Sequence, residues 1–103
     1  MQKEIRVRVP QVLDVGEAIL LYYSKTELSS DDIKKLFGNK AEVTIYKLKK
    51  IVKEAMAEEN VQVFDNRSVN TKVAFRVWGI DIEELEARFK KISKIRSMIN
   101  KEV

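Results

Sequence analysis

Apolar residues recur at intervals of three and four over most of this chain, and that spacing commits it to helices. Ala41, Ile45, Leu48, Val52 and Ala55 form one series; Ile82, Leu85, Phe89, Ile92, Ile95 and Ile99 form another. A helix turns about 100° per residue, so each series gathers on one side of a cylinder and demands a surface to bury it. Residues 4–9 depart from this period. There Ile5, Val7 and Val9 alternate with Arg6 and Arg8, as in a half-buried strand, and Pro10 ends the run because it cannot donate to a ladder.

Punctuation residues divide the rest. Asp14, with Glu17 three positions on, starts a helix that runs to about Lys25 and is apolar nearly all round, so most of it should be buried. Ser30 caps a short helix over residues 31–37, with Asp31 and Asp32 on the positive end of its dipole. Gly38 is the expected left-handed stop. After a tight turn at residues 38–40, a long helix covers about 41–59, and Asn60 ends it.

Residues 61–79 read two ways. Val73, Phe75 and Val77 alternate with Ala74, Arg76 and Trp78, as in the returning strand of a wing hairpin. Asn70 or Thr71 and Gly79 bracket the same residues as a short helix, and the bracket favours the helix. Asp81 opens the last helix, residues 81–101. Its acids Glu83, Glu84 and Glu86 come first and Lys94, Arg96 and Lys101 later, matching the macrodipole. The expected fold is mainly α: one domain over residues 1–103, with a short N-terminal strand and a long C-terminal helix.

Residue usage removes most chemistry. The 103 residues include no Cys and no His, which excludes disulfides, zinc fingers, thiolate nucleophiles, Ser-His pairs and imidazole metal sites. The three glycines, Gly16, Gly38 and Gly79, are too scattered for a phosphate-cradling loop. Asp31-Asp32 and Glu83, Glu84 and Glu86 lie in first turns, where capping and dipole effects account for them. The expectation is a non-enzymatic protein with no cofactor, no metal and no small-molecule substrate. The longest apolar run, residues 18–23, is too short to span a bilayer and residues 1–6 lack a signal-peptide core, so a cytoplasmic protein without a membrane partner is expected. Twenty Lys and Arg against 16 Asp and Glu give a formal charge of +4, which favours a polyanionic partner mildly.

Residues 28–60 carry the functional signal. A short capped helix, a tight turn and a longer amphipathic helix make a helix-turn-helix pattern, whose second helix must bury one face and offer polar and basic groups on the other. Val43, Tyr46, Lys47, Lys50 and Lys53 fall opposite the apolar series, with Glu42 and Lys49 on a flank. Thr44, Tyr46 and Lys47 are placed to touch base edges, and Lys40, Lys50 and Lys53 to reach phosphates. The bland alternative is a solvated lysine face. Arg67, Lys72 and Arg76 form a second basic cluster that can flank the groove helix or simply decorate a polar loop. Arg6 and Arg8 are a basic arm or the charged outer side of an edge strand. Phe75 and Trp78 read as core rather than as a stacking platform for bases.

Residues 28–38, Leu-Ser-Ser-Asp-Asp-Ile-Lys-Lys-Leu-Phe-Gly, followed by the helix containing Tyr46-Lys-Leu-Lys-Lys, resemble the helix-turn-helix of small excisionase-like and MerR-type winged-helix proteins of Gram-positive phages and mobile elements. The resemblance implies binding of double-stranded DNA, with residues 41–53 in the groove and Arg67 or Lys72 near a phosphate. It implies a transcriptional regulator or an accessory protein of a mobile element. The strand at the N-terminus and the long final helix depart from that pattern.

The stripe Leu85, Phe89, Ile92 and Ile99 is close to a heptad seam, which suits a homodimer reading two half-sites; the alternative is that it packs on its own domain. A second functional class follows from the same stripe, a protein–protein assembly or adaptor module in which the lysine face is only solvent dressing.

Overall fold

The computed structural model describes residues 8–101, with five helices and a two-stranded sheet. Of the strand expected at residues 4–9, only Arg8 and Val9 fall among the described residues, and they are in neither strand nor helix; Arg6 lies outside them. What holds this segment is packing rather than a ladder. Val9 and Val12 lie against the core, and the Leu13 N–H donates to the Leu36 carbonyl at 2.9 Å.

Helix α1 (Val15–Ser24) starts where Asp14 Oδ1 accepts from the Glu17 N–H at 3.1 Å. Strand β1 (Glu27–Leu28) leads into α2 (Ser30–Phe37). The cap of α2 is Ser29, one residue earlier than the sequence suggests, because Asp32 stands at the third helical position from it. The Ser29 hydroxyl accepts from the Asp32 N–H at 3.3 Å, and the Asp32 carboxylate accepts from the Ser29 N–H at 2.9 Å, a reciprocal box. Asp32 is buried and also takes a 2.8 Å ion pair from Lys25. Burial works to raise its pKa, but the Lys25 ammonium and the Ser29 bonds outweigh it and hold the carboxyl below the usual value.

Gly38 ends α2 at φ 90° and ψ −179°, not in the left-handed helical region expected but in an extended region open only to glycine. A Cβ there would also meet Leu13 Cδ1 at 2.8 Å. Leu13 is exposed and can give way, so backbone strain is the larger cost. Gly38→Ala is therefore expected to destabilise the domain by about 2–3 kcal/mol. Urea denaturation should show this, and adding Leu13→Ala should recover little of the loss.

Residues 38–41 turn the chain into α3 (Glu42–Glu58). Asn60, at φ 56°, closes α3 with the Val61 N–H on the Met56 carbonyl at 2.9 Å. Residues 61–68 are irregular, and β2 (Val69–Asn70) pairs antiparallel with β1, Glu27 opposite Asn70 and Leu28 opposite Val69. No wing hairpin forms at residues 61–78. Asn70 accepts from the Val73 N–H at 3.0 Å and caps α4 (Thr71–Val77), and Gly79 at φ 73° stops it. Strand alternation there gave way to caps at both ends, which satisfy the backbone locally.

The core joins α2, α3 and α4. Leu36, Leu48, Val52 and Phe75 are almost wholly buried. The Trp78 ring meets Phe37 edge-on at 5.4 Å, and its indole N–H donates to the Leu48 carbonyl at 3.1 Å. Asp81 starts α5 (Ile82–Lys101) by accepting from Glu83 N–H at 3.0 Å. The first turns of α5 pack on α1, where Tyr23 bonds Glu86 and the Phe89 ring lies over Gly16. Beyond that point α5 leaves the body. Every residue from Ala87 to Ile99 is exposed, and the molecule measures 59 Å along its long axis against 24 Å across. Among the described residues no helix is long and apolar enough to cross a membrane.

Candidate nucleic-acid interface

A groove of about 720 Å³ runs along the outer face of α3. The start of α2 forms one wall, through Ser30 and Lys34, and the loop at Asn66 and Arg67 forms the other. The period of α3 explains its floor. With Ile45, Leu48, Val52 and Met56 buried, Tyr46, Lys49, Lys50 and Lys53 share a row a quarter-turn away. Lys34, Lys49, Lys50, Lys53 and Arg67 face it against two carboxylates, Glu42 and Glu54.

Four hydrogen bonds fix the geometry. Lys49 Nζ donates to Ser30 Oγ at 3.0 Å, joining α3 to α2. Lys53 Nζ donates to the Asn66 carbonyl, joining α3 to the loop. Asp65 accepts from the Arg67 N–H at 2.9 Å and from its guanidinium at 3.4 Å, so the loop turns on its own aspartate. The field is positive. Partial burial, and then the nearby Lys53 and Arg67 charges, push the Lys49 ammonium below the ordinary lysine value against the pull of Asp65. The Arg67 N–H, then its guanidinium and Lys49, hold Asp65 below the usual carboxylate range despite some desolvation. Cations crowded enough to disfavour one another gain from an anion placed among them.

The groove brings together four of the residues singled out in the sequence: Tyr46, Lys50, Lys53 and Arg67. The other four lie outside it. Lys40 is exposed in the turn before α3, Thr44 is half-buried in its first turn, Lys47 is exposed on a different side of α3, and Lys72 is exposed at the start of α4. Arg67, Lys72 and Arg76 are not one cluster, because Arg76 pairs with Glu59 at the end of α3 while Arg67 follows the loop into the groove. Sequence reasoning missed Lys34 and left Lys49 on a flank. The spacing of Tyr46, Lys49, Lys50 and Lys53, by three, one and three, was the available signal for the second; nothing in the pattern of α2 alone marks the first.

The C-terminal stripe divides. Leu85, expected at a dimer seam, is 6% exposed within the domain's own core, because the start of α5 packs on α1. Phe89, Ile92 and Ile99 remain exposed, and Ile95 and Met98 join them. Arg88 and Arg96 interrupt the same side of the helix. Among the described residues no three acidic residues gather as a metal site would require. Comparison with protein-family models, with curated proteins and with solved structures finds no match.

Proposed function

We propose that the protein binds double-stranded DNA through α2 and α3 acting as a helix-turn-helix, as a transcriptional regulator or an accessory protein of a mobile element. One observation carries the reading: Lys34, Lys49, Lys50, Lys53 and Arg67, from three separate elements, converge on one groove. A solvated lysine face would spread its charges, whereas here partial burial, and then the Lys53 and Arg67 charges, hold the Lys49 ammonium below its ordinary value. The first turns of α3 leave Val43 and Tyr46 uncovered, as a helix entering a major groove requires. Lysines neutralise phosphates and release counterions, and Tyr46 with its neighbours meets base edges. The resemblance to excisionase-like and MerR-type proteins accords with this role, although a helix stands where their wing would be.

The test is fluorescence anisotropy of labelled duplex DNA at two salt concentrations. Binding should weaken steeply with salt, with a log–log slope of about −0.9 per phosphate neutralised. No binding at low salt rejects the reading.

A second reading rests on the projecting end of α5. Phe89, Ile92, Ile95, Met98 and Ile99 are exposed there, and we propose that they pair two copies for two half-sites, or serve an assembly role if DNA is not bound. Ile92→Asp should convert a dimer to a monomer in sedimentation equilibrium with the helices intact by circular dichroism, since Ile92 lies outside the core. An unchanged mass sinks the pairing.

A further inference from the structure

We propose that Phe64 is a wedge that enters a base step of bound duplex DNA; this rests on the DNA reading above. Its ring is fully exposed, so folding gains nothing from it. Single exposed apolar side chains are ordinary on protein surfaces. What sets this one apart is how firmly its backbone is held and what stands next to it.

The loop tip is tethered from two sides. The Glu27 carboxylate, on β1, accepts from the Phe64 N–H at 2.6 Å and the Asp65 N–H at 3.2 Å. Lys53, on α3, donates to the Asn66 carbonyl, and the Ser68 N–H closes the turn on the Asp65 carbonyl at 2.9 Å. On either side of the tip, Val61, Val63 and Val69 pack on the core. The ring is thus carried on ordered backbone, and little entropy remains to be lost when it is placed.

Immediately after Phe64 the chain supplies Asn66 and Arg67 to the groove wall. A polyanion drawn in by the lysines therefore arrives within a few residues of the ring. An aromatic ring beside phosphate-binding cations suits the faces of bases. With α3 in the major groove, the loop that follows it meets the adjoining minor groove. Apolar side chains inserted there partly unstack one base step and bend the duplex. Arg67 then supplies the cation that a narrowed minor groove attracts. Unstacking is cheapest at flexible pyrimidine–purine steps, so Phe64 makes the protein sensitive to sequences that α3 does not touch.

The experiment titrates wild type, Phe64→Ala and Phe64→Trp against two duplexes of equal length, one rich in TA and CA steps and one a stiff A-tract, at two salt concentrations. Wild type and Phe64→Trp should favour the flexible duplex. Phe64→Ala should bind it about tenfold more weakly, lose the preference, and keep the wild-type salt slope because no charge has changed. The ring touches no core residue, so the melting temperature should not move. Phe64→Ala binding both duplexes as wild type does overturns the proposal and leaves the groove reading standing, as does an equal loss on both duplexes. Wild type binding neither duplex overturns the groove reading, and the wedge with it.

Discussion

A chain carrying Lys50→Glu and Lys53→Glu should bind duplex DNA about a hundredfold more weakly than wild type, or not measurably. Both ammonium groups line the groove on exposed positions of α3. Neutral replacements would lower the salt slope by about two, one for each phosphate that is no longer neutralised. Reversal adds repulsion from the same phosphates. The fold should survive, because surface substitutions of this kind stay within about 0.5 kcal/mol. Lys53 also holds the Asn66 carbonyl, so Lys50→Glu alone serves as a control in which the loop tether is intact. Anisotropy at two salt concentrations, with far-ultraviolet circular dichroism to show the helices, reads both quantities. Wild-type affinity in the double variant would mean that the lysines are solvent dressing.

The largest loss of stability is expected from Trp78→Ala, about 3–5 kcal/mol. That approaches the whole stability of a marginal domain, which lies in the range of about 5–15 kcal/mol. Trp78 is 5% exposed and joins all three core helices: it follows α4, meets Phe37 of α2 edge-on and bonds the Leu48 carbonyl of α3. Removing it leaves a cavity and loosens the angle between α2 and α3, on which the groove depends. Trp78→Phe keeps most of the ring and loses only the indole bond, at about 1–2 kcal/mol, and DNA binding should persist. Trp78 is the single tryptophan, so these variants must be followed by circular dichroism rather than fluorescence. A midpoint in urea unchanged by Trp78→Ala would show that the three helices do not depend on it.

Local chemistry made the helices legible. Asp14, Asn60, Asn70, Gly79 and Asp81 each act at a boundary where residue type alone points to one, because caps depend on a few consecutive residues. The β1–β2 pair was not legible. Two residues carry no period, and their partners lie far along the chain. Lys50 and Lys53 could be placed by rotation about α3. Lys34 could not, because its position on the groove depends on how α2 crosses α3, which long-range packing decides. Leu85 shows the same limit from the other side. A stripe announces that a helix is buried on one face, but not where its own domain stops and a partner begins.

The small sheet has a consequence out of proportion to its length. β1 and β2 close the chain into a ring, with α2, the turn, α3 and the Phe64 loop all inside it. Leu28 and Val69 back the closure from the core, and Glu27, within β1, supplies one of the two tethers of the loop. The walls and floor of the groove thus belong to one cooperative unit. A local opening that parts the strands would therefore take the Glu27 tether from the loop wall in the same event and leave Lys53 alone to hold it.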